Sequence, residues 1–323
     1  MGLTFYPDNQ PGILRRRQGR GFSYVAPDGT RIDNAAERAR LEAMAVPPAY
    51  ENVWMTPIAD GHLWATGRDA RNRKQYRYHP DWRAARDATK FDGLGAFGAQ
   101  LPKVRRWIAT ALEGPPGTFD TAMGLVLGLI DRASLRVGSE SYVRENKTYG
   151  ATTLRARDVT VAPSRVSLDY RGKGGDRVRK TLHGAKLQRA IHRCADLPGA
   201  ELATWIDEGG NAQAIRSDQV NERIGELCDG TGTAKTFRTW NGTLAAFRTV
   251  LDAEAPTIKD ASEAAAAVLH NTAGIARQSY IHPDIIDLVG ASGATRAGLR
   301  RSHQWEGSDQ MRAGEAVLIG YLS

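Results

Sequence analysis

Cysteine is nearly missing from this chain. Cys194 and Cys228 are the only two in 323 residues, well separated and outside any CxxC spacing, which excludes a disulfide framework and a cysteine zinc site. No run approaches the roughly 18 apolar residues of a membrane span. The opening Met1-Gly-Leu-Thr-Phe-Tyr-Pro-Asp8 lacks the basic and apolar regions of a secretory leader, so a cytoplasmic location without a membrane partner is the expectation. The sequence also lacks GxxxxGK[ST], HExxH and a GxGxxG that opens a helix after a strand. Its histidines, at positions 62, 79, 183, 192, 270, 282 and 303, are scattered, and no tight carboxylate group suggests a two-metal site. Neither a nucleotide, a metal nor another cofactor is expected.

What the chain does have is positive charge, a formal +8, which favours a polyanionic partner. Residues 68–87 concentrate it: Arg68, Arg71, Arg73, Lys74, Arg77, Arg83 and Arg86 stand against Asp69, Asp81 and Asp87, with Tyr76, Tyr78 and Trp82 interleaved. The stretch suits phosphates and base edges together, and it equally suits a solvated strand pair over packed aromatics. Arg15, Arg16, Arg17 and Arg20 form a second cluster, read as a mobile arm.

Hydrophobic content of 41% with 25% charged residues and this length suit two domains with separate cores. Short strands are predicted at 22–25 and 31–32 around a Pro-Asp-Gly-Thr turn, then a helix at 35–44 stopped by Pro47 and Pro48, then strands at 53–55, 63–65 and 75–78. The boundary falls between about 83 and 92. Beyond it the periodicity predicts helices at 97–112 and 121–135, short strands at 152–154, 159–161, 166–170 and 178–182, and helices at 184–194, 218–227, 239–251, 261–269 and 284–288. A closing helix could end the chain at 317–322.

With no metal motif, phosphate chemistry would fall to the chain's own cations. Arginine suits it, because its planar fork donates two hydrogen bonds to adjacent phosphate oxygens and stays charged at any working pH. Five ordered segments bear on this: Gln75-Tyr-Arg-Tyr78; Leu135-Arg-Val-Gly-Ser-Glu-Ser-Tyr142, continuing into Glu145-Asn-Lys-Thr-Tyr-Gly-Ala-Thr-Thr-Leu154; Gly172-Lys-Gly-Gly-Asp176; Lys235-Thr-Phe-Arg238; and His270-Asn-Thr-Ala-Gly-Ile-Ala-Arg-Gln-Ser-Tyr280. In order and interval they resemble type IB DNA topoisomerases of the poxvirus and bacterial type, over roughly residues 20–290.

That resemblance implies an α+β fold, with a small N-terminal β-rich domain (1–84) followed by a larger, mainly α-helical catalytic domain with a small β-sheet (91–323), a monomer forming a clamp around double-stranded DNA. It implies Tyr280 as nucleophile, Arg136, Arg238 and His270 as phosphate-binding residues and Lys173 as general acid. Gln75, Tyr76 and Tyr78 match the family's major-groove segment, and Lys235 its lysine before the second arginine. The implied activity is relaxation of positive and negative supercoils through a 3′-phosphotyrosyl intermediate, strand rotation and religation, without ATP or metal. The alternative is a tyrosine recombinase, whose family usually carries His-x-x-Arg where this chain has Lys235-Thr-Phe-Arg238. One departure is local: Ala276-Arg-Gln-Ser279 replaces the Ser-Lys-Arg-Ala of some relatives.

Overall fold

The computed structural model describes residues 2–70, 72–163, 165–302, 305–308 and 310–323; Arg71 of the basic stretch and His303 lie outside the described residues. The chain divides into two compact units, Met1–Asp92 and Gly93–Ser323.

The first unit is built on an antiparallel sheet. Strands β1 (Ile13–Gln18) and β2 (Gly21–Val25) form a hairpin, helix α1 (Ala35–Ala43) follows, and β3 (Glu51–Met55), β4 (Leu63–Arg68) and β5 (Lys74–Tyr78) complete the order β2-β1-β3-β4-β5. Helix α2 (Pro80–Ala88) begins with a proline, which needs no N–H partner in a first turn. The sheet's period of two directs Ile13, Tyr24, Val53, Met55 and Ala65 to one face, where Leu41 and Met44 cover them. Asn34 starts α1 by accepting the Glu37 amide at 3.0 Å.

The basic cluster near residue 15 belongs to this sheet and is no mobile arm. Arg15 lies on the core-facing side of β1, and its guanidinium donates to the carbonyls of Val46, Pro47 and Tyr50 at 2.7–2.9 Å while lying 4.2 Å from the Phe22 ring centroid. A long aliphatic stem lets a charged residue occupy an inward position if its head finds acceptors. The expected strand at 31–32 is a single bridge from Arg31 to Val25.

The second unit is mainly helical: α3 (Leu94–Ala111), α4 (Phe119–Ala133), α5 (Glu140–Asn146), then strands β6 (Val159–Ala162), β7 (Arg165–Arg171) and β8 (Arg177–Leu182) in one antiparallel sheet. Next come α6 (Ala185–Cys194), the hairpin β9 (Thr204–Ile206) and β10 (Ala212–Ala214), α7 (Ser217–Leu227), α8 (Ala234–Asp252), α9 (Ile258–Leu269), α10 (Ala273–Tyr280), α11 (Pro283–Leu288), α12 (Gly293–Arg300) and α13 (Glu315–Tyr321). The core gathers Phe97, Leu101, Met123, Leu127, Phe237, Trp240 and Phe247, all fully buried. Helix α4 is apolar around its circumference and is buried from Thr121 to Asp131, as expected of a helix surrounded by others.

The segment at 152–154 and the start of α8 differ from expectation for local reasons. The segment 152–154 is a turn, because the Thr152 hydroxyl donates to the Val137 carbonyl and the Thr153 hydroxyl accepts from the Gly150 amide, satisfying backbone groups that a strand partner would otherwise take. Helix α8 starts five residues before 239, because Thr233 and Thr236 form a reciprocal cap. Helix α10 was not expected, and it carries Tyr280.

Candidate active site

Three chain breaks and one helix bring the cationic groups of the second unit together. Helix α4 ends at Ser134, whose left-handed conformation (φ 54°) turns the chain sharply so that Arg136 leaves the helix axis. Helix α9 ends in the same way at His270 (φ 48°), and Thr272 opens α10 by accepting the Ile275 amide. Between β7 and β8 the turn carries Lys173 beside Gly174 and Gly175, whose φ of 88° and 91° require glycine. Arg238 projects from α8, 4% exposed.

Arg238 is the hub. It donates one N–H to the Ser134 carbonyl and another to the Leu269 carbonyl at 3.0 Å, and its Cζ lies 5.1 Å from the Tyr280 ring centroid. Its Nε is buried without a partner. Arg136 donates to Asn271 Oδ1 at 2.6 Å, and the Asn271 Nδ2 is likewise buried and unpartnered. Buried donors without acceptors are costly, and the Asn271 amide beside Arg136 suits an anionic ligand. Arg136, Lys173, His270, Asn271 and Tyr280 line a cleft of about 860 Å³.

The nucleophile candidate is seated from behind. The Tyr280 carbonyl accepts the Thr243 hydroxyl at 3.2 Å, and the same hydroxyl accepts the His282 amide at 3.1 Å. Helix α8 comes close because residue 242 is glycine: a Cβ there would lie 2.8 Å from the Tyr280 carbonyl oxygen and 2.9 Å from Leu269 Cδ1. Gly242→Ala is therefore expected to cost about 1–3 kcal/mol in denaturant unfolding and to slow any reaction at the Tyr280 oxygen roughly tenfold or more by shifting that residue.

The electrostatics are set by few groups. Burial by itself would raise the Tyr280 phenol, but the charge and hydrogen bond of Arg238, with Arg136 and Lys235 adding, bring it below its ordinary value. At an unshifted pKa near 10, roughly one phenol in a thousand would be ionised at pH 7. The difference in tyrosinate absorbance between the unmodified chain and Tyr280→Phe should titrate below pH 10, and Arg136→Ala should move that midpoint upward. Burial and the Arg238 charge push Lys180 down to about 8, and its ammonium donates to the Val268 carbonyl at 2.6 Å. Desolvation, with Lys180 adding, also lowers His270, whose Nε2 lies 3.2 Å from the Arg179 carbonyl. A carbonyl oxygen only accepts, so Nε2 carries the hydrogen in this contact.

Of the residues expected from sequence, Arg136, Lys173, His270 and Tyr280 line the cleft, and Arg238 packs against the Tyr280 ring. Lys235 is exposed in the first turn of α8. Gln75, Tyr76 and Tyr78 lie on β5 of the first unit, with Tyr76 and Tyr78 48% and 37% exposed and stacked at 6.2 Å, and Gln75 donating to Asp69 at 2.9 Å. Sequence reading missed Asn271 and Lys180. The amide beside His270, in a break between two helices, was a usable signal for the first; Lys180 stands in a run of basic residues that offers none.

A tyrosine under a buried arginine, in a helical unit lined with further cations, defines the class of enzymes that transfer phosphodiesters through a tyrosyl ester. The model of the eukaryotic DNA topoisomerase I catalytic core matches residues 79–277, and that of the bacterial DNA topoisomerase IB N-terminal domain matches residues 21–69. The DNA topoisomerase 1B of Acanthamoeba polyphaga mimivirus is 28% identical over 285 residues, covering 84% of this chain and 85% of the viral protein. The DNA topoisomerase 1 of Mycosarcoma maydis is 21% identical over 273 residues, covering 77% of this chain but 26% of that protein. The chain belongs to the type IB DNA topoisomerases.

Proposed function

We propose that Tyr280 attacks a DNA phosphodiester held by Arg136, Arg238 and Asn271, and that Lys173 protonates the departing 5′-oxygen. The observation that carries this reading is that Tyr280, with Arg238 against its ring, lines one cleft with the Arg136–Asn271 pair and Lys173. The Tyr280 oxygen forms a bond to phosphorus, its proton passes to solvent, and the bond from phosphorus to the 5′-oxygen breaks. The arginines meet the charge that grows on the nonbridging oxygens. A free alkoxide is a poor leaving group, so a proton delivered from Lys173 speeds the break. Exchange of one phosphoester for another conserves bond energy, and religation follows the same path backwards without ATP.

Resemblance implied a phosphate contact for His270. The geometry supports Asn271 better: the His270 Nε2–H is engaged by a backbone carbonyl, whereas the Asn271 amide has a spare donor beside Arg136. While the 3′ end is held on Tyr280, the free 5′ end swivels around the intact strand, so supercoils of both signs relax. Tyr76, Tyr78 and Gln75 contact base edges in the major groove, Lys235 contacts backbone phosphate, and the chain works as a cytoplasmic monomer closing on double-stranded DNA.

Relaxation of supercoiled plasmid in EDTA without nucleotide tests the reading, with denaturant added midway to trap protein on the 3′ end of the broken strand. Full relaxation with a 3′-linked adduct is expected. A requirement for magnesium or nucleotide, or an adduct on the 5′ end, would overturn it.

A further inference from the structure

Seven charged or polar side chains outside the lining of the cleft are wired together. Glu315, fully buried in α13, accepts two hydrogen bonds from Arg105 of α3 at 2.6 and 2.9 Å, one from the Trp240 indole at 3.0 Å and one from the Arg312 amide at 2.7 Å. Arg105 also grips both oxygens of Asp131 in α4 at 3.0 Å and the Gln310 carbonyl at 2.8 Å. Arg312 binds the Asp131 carboxylate at 2.7 Å, the Asp131 carbonyl at 2.8 Å and Asn241 Oδ1 of α8 at 2.8 Å. The Asn241 amide then donates to the Asp131 carbonyl and to the Ser134 hydroxyl, both at 2.9 Å.

The last link touches the site itself. Ser134, held by Asn241 through its hydroxyl, accepts Arg238 on its carbonyl. Asn241 and Arg238 lie three residues apart on α8 and so share a face, which makes them a two-point clasp on the residue where α4 ends and from which Arg136 departs. Burial alone would push Asp131 up, but Arg312 and Arg105 bring it down to about 2, so the cluster stays ionised at neutral pH. Buried ion clusters are poor sources of net stability, since well-packed apolar groups often do as well. What they supply is a single permitted geometry.

We propose that Asn241 is a positioning residue for strand transfer, and that Arg312 and Glu315 of the C-terminal segment act through it and Asp131 to hold Ser134, and thereby Arg238 and Arg136, in register with Tyr280. The proposal rests on the assignment of the two arginines to the phosphate. Displacing a reacting group by about 1 Å can cost about a hundredfold in rate, and the clasp prevents a displacement of that kind.

The test is single-turnover formation of the covalent adduct at saturating duplex, with DNA affinity and melting temperature measured on the same proteins. Asn241→Ala and Arg312→Met are expected to slow cleavage about a hundredfold at unchanged affinity, while Arg312→Lys recovers much of the loss by restoring the charge. The defect should persist on DNA with sulfur at the 5′-bridging position, because a thiolate leaves without a proton and the loss does not lie in the Lys173 step. A fall in melting temperature with an undiminished cleavage rate would show a scaffold only and overturn the proposal. Arg238→Ala, run alongside, separates the failures: if it cleaves normally the phosphate assignment is wrong, and if it collapses while Asn241→Ala is normal the positioning role alone is wrong. Should Arg312→Met not fold, Ser134→Ala, which deletes one acceptor of the clasp, carries the same expectation of slowed cleavage at unchanged affinity.

Discussion

Tyr280→Phe should lose DNA cleavage by at least about 10⁵-fold, since under the proposed role of Tyr280 the ester cannot form once its oxygen is gone. The variant keeps the ring under Arg238, and the backbone seat of residue 280 on Thr243 is untouched, so folding and DNA affinity should survive. Melting temperature and duplex binding therefore serve as internal controls for a plasmid-relaxation assay. Any adduct that persisted after denaturation would place the nucleophile elsewhere. Tyr170 is the informative comparison: it is buried beside the same arginines, yet desolvation drives its phenol up to about 12, which makes it a poor substitute.

Arg238→Ala is expected to have the second largest effect, about 10³- to 10⁵-fold on the cleavage rate, the range seen when an arginine stabilising a phosphoryl-transfer transition state is removed. Two losses combine. Under the proposed role the phosphate loses a buried cation, and the Ser134 and Leu269 carbonyls lose the donor that ties the ends of α4 and α9 together. Arg238→Lys should recover little, because one ammonium cannot reach two diverging carbonyls and a phosphate oxygen. Single-turnover cleavage of a labelled duplex would measure both variants. A loss under about tenfold for the alanine change would remove Arg238 from the reaction.

Much of this was legible in the residues themselves. The segments around Arg136, Lys173, Arg238 and Tyr280 stand at spacings that resemble the family, and amphipathic periodicity placed α4, α6, α7 and α9 within a few residues. Helix α10 escaped notice because Ala273 to Tyr280 is eight residues long with Ile275 as its one large aliphatic side chain, so periodicity had only two turns to work with. The Arg15 cluster was read as a mobile arm because three consecutive arginines look solvated; only the carbonyls of Val46, Pro47 and Tyr50, brought alongside by the sheet, make an inward arginine stable.

The sequence by itself determined the chemistry available to this protein: a phenol, fixed cations and a glycine-flanked lysine, in an order that a short-range pattern can reveal. Tertiary structure decided which of those groups share a cleft, that Asn271 presents a spare donor beside Arg136, and that Asp131, Asn241, Arg312 and Glu315 form one hydrogen-bonded cluster outside the cleft lining. The physical reason is distance along the chain. Arg105, Asp131, Asn241 and Glu315 come from α3, α4, α8 and α13, and no local propensity couples residues so far apart; only packing that excludes water lets their charges choose one another.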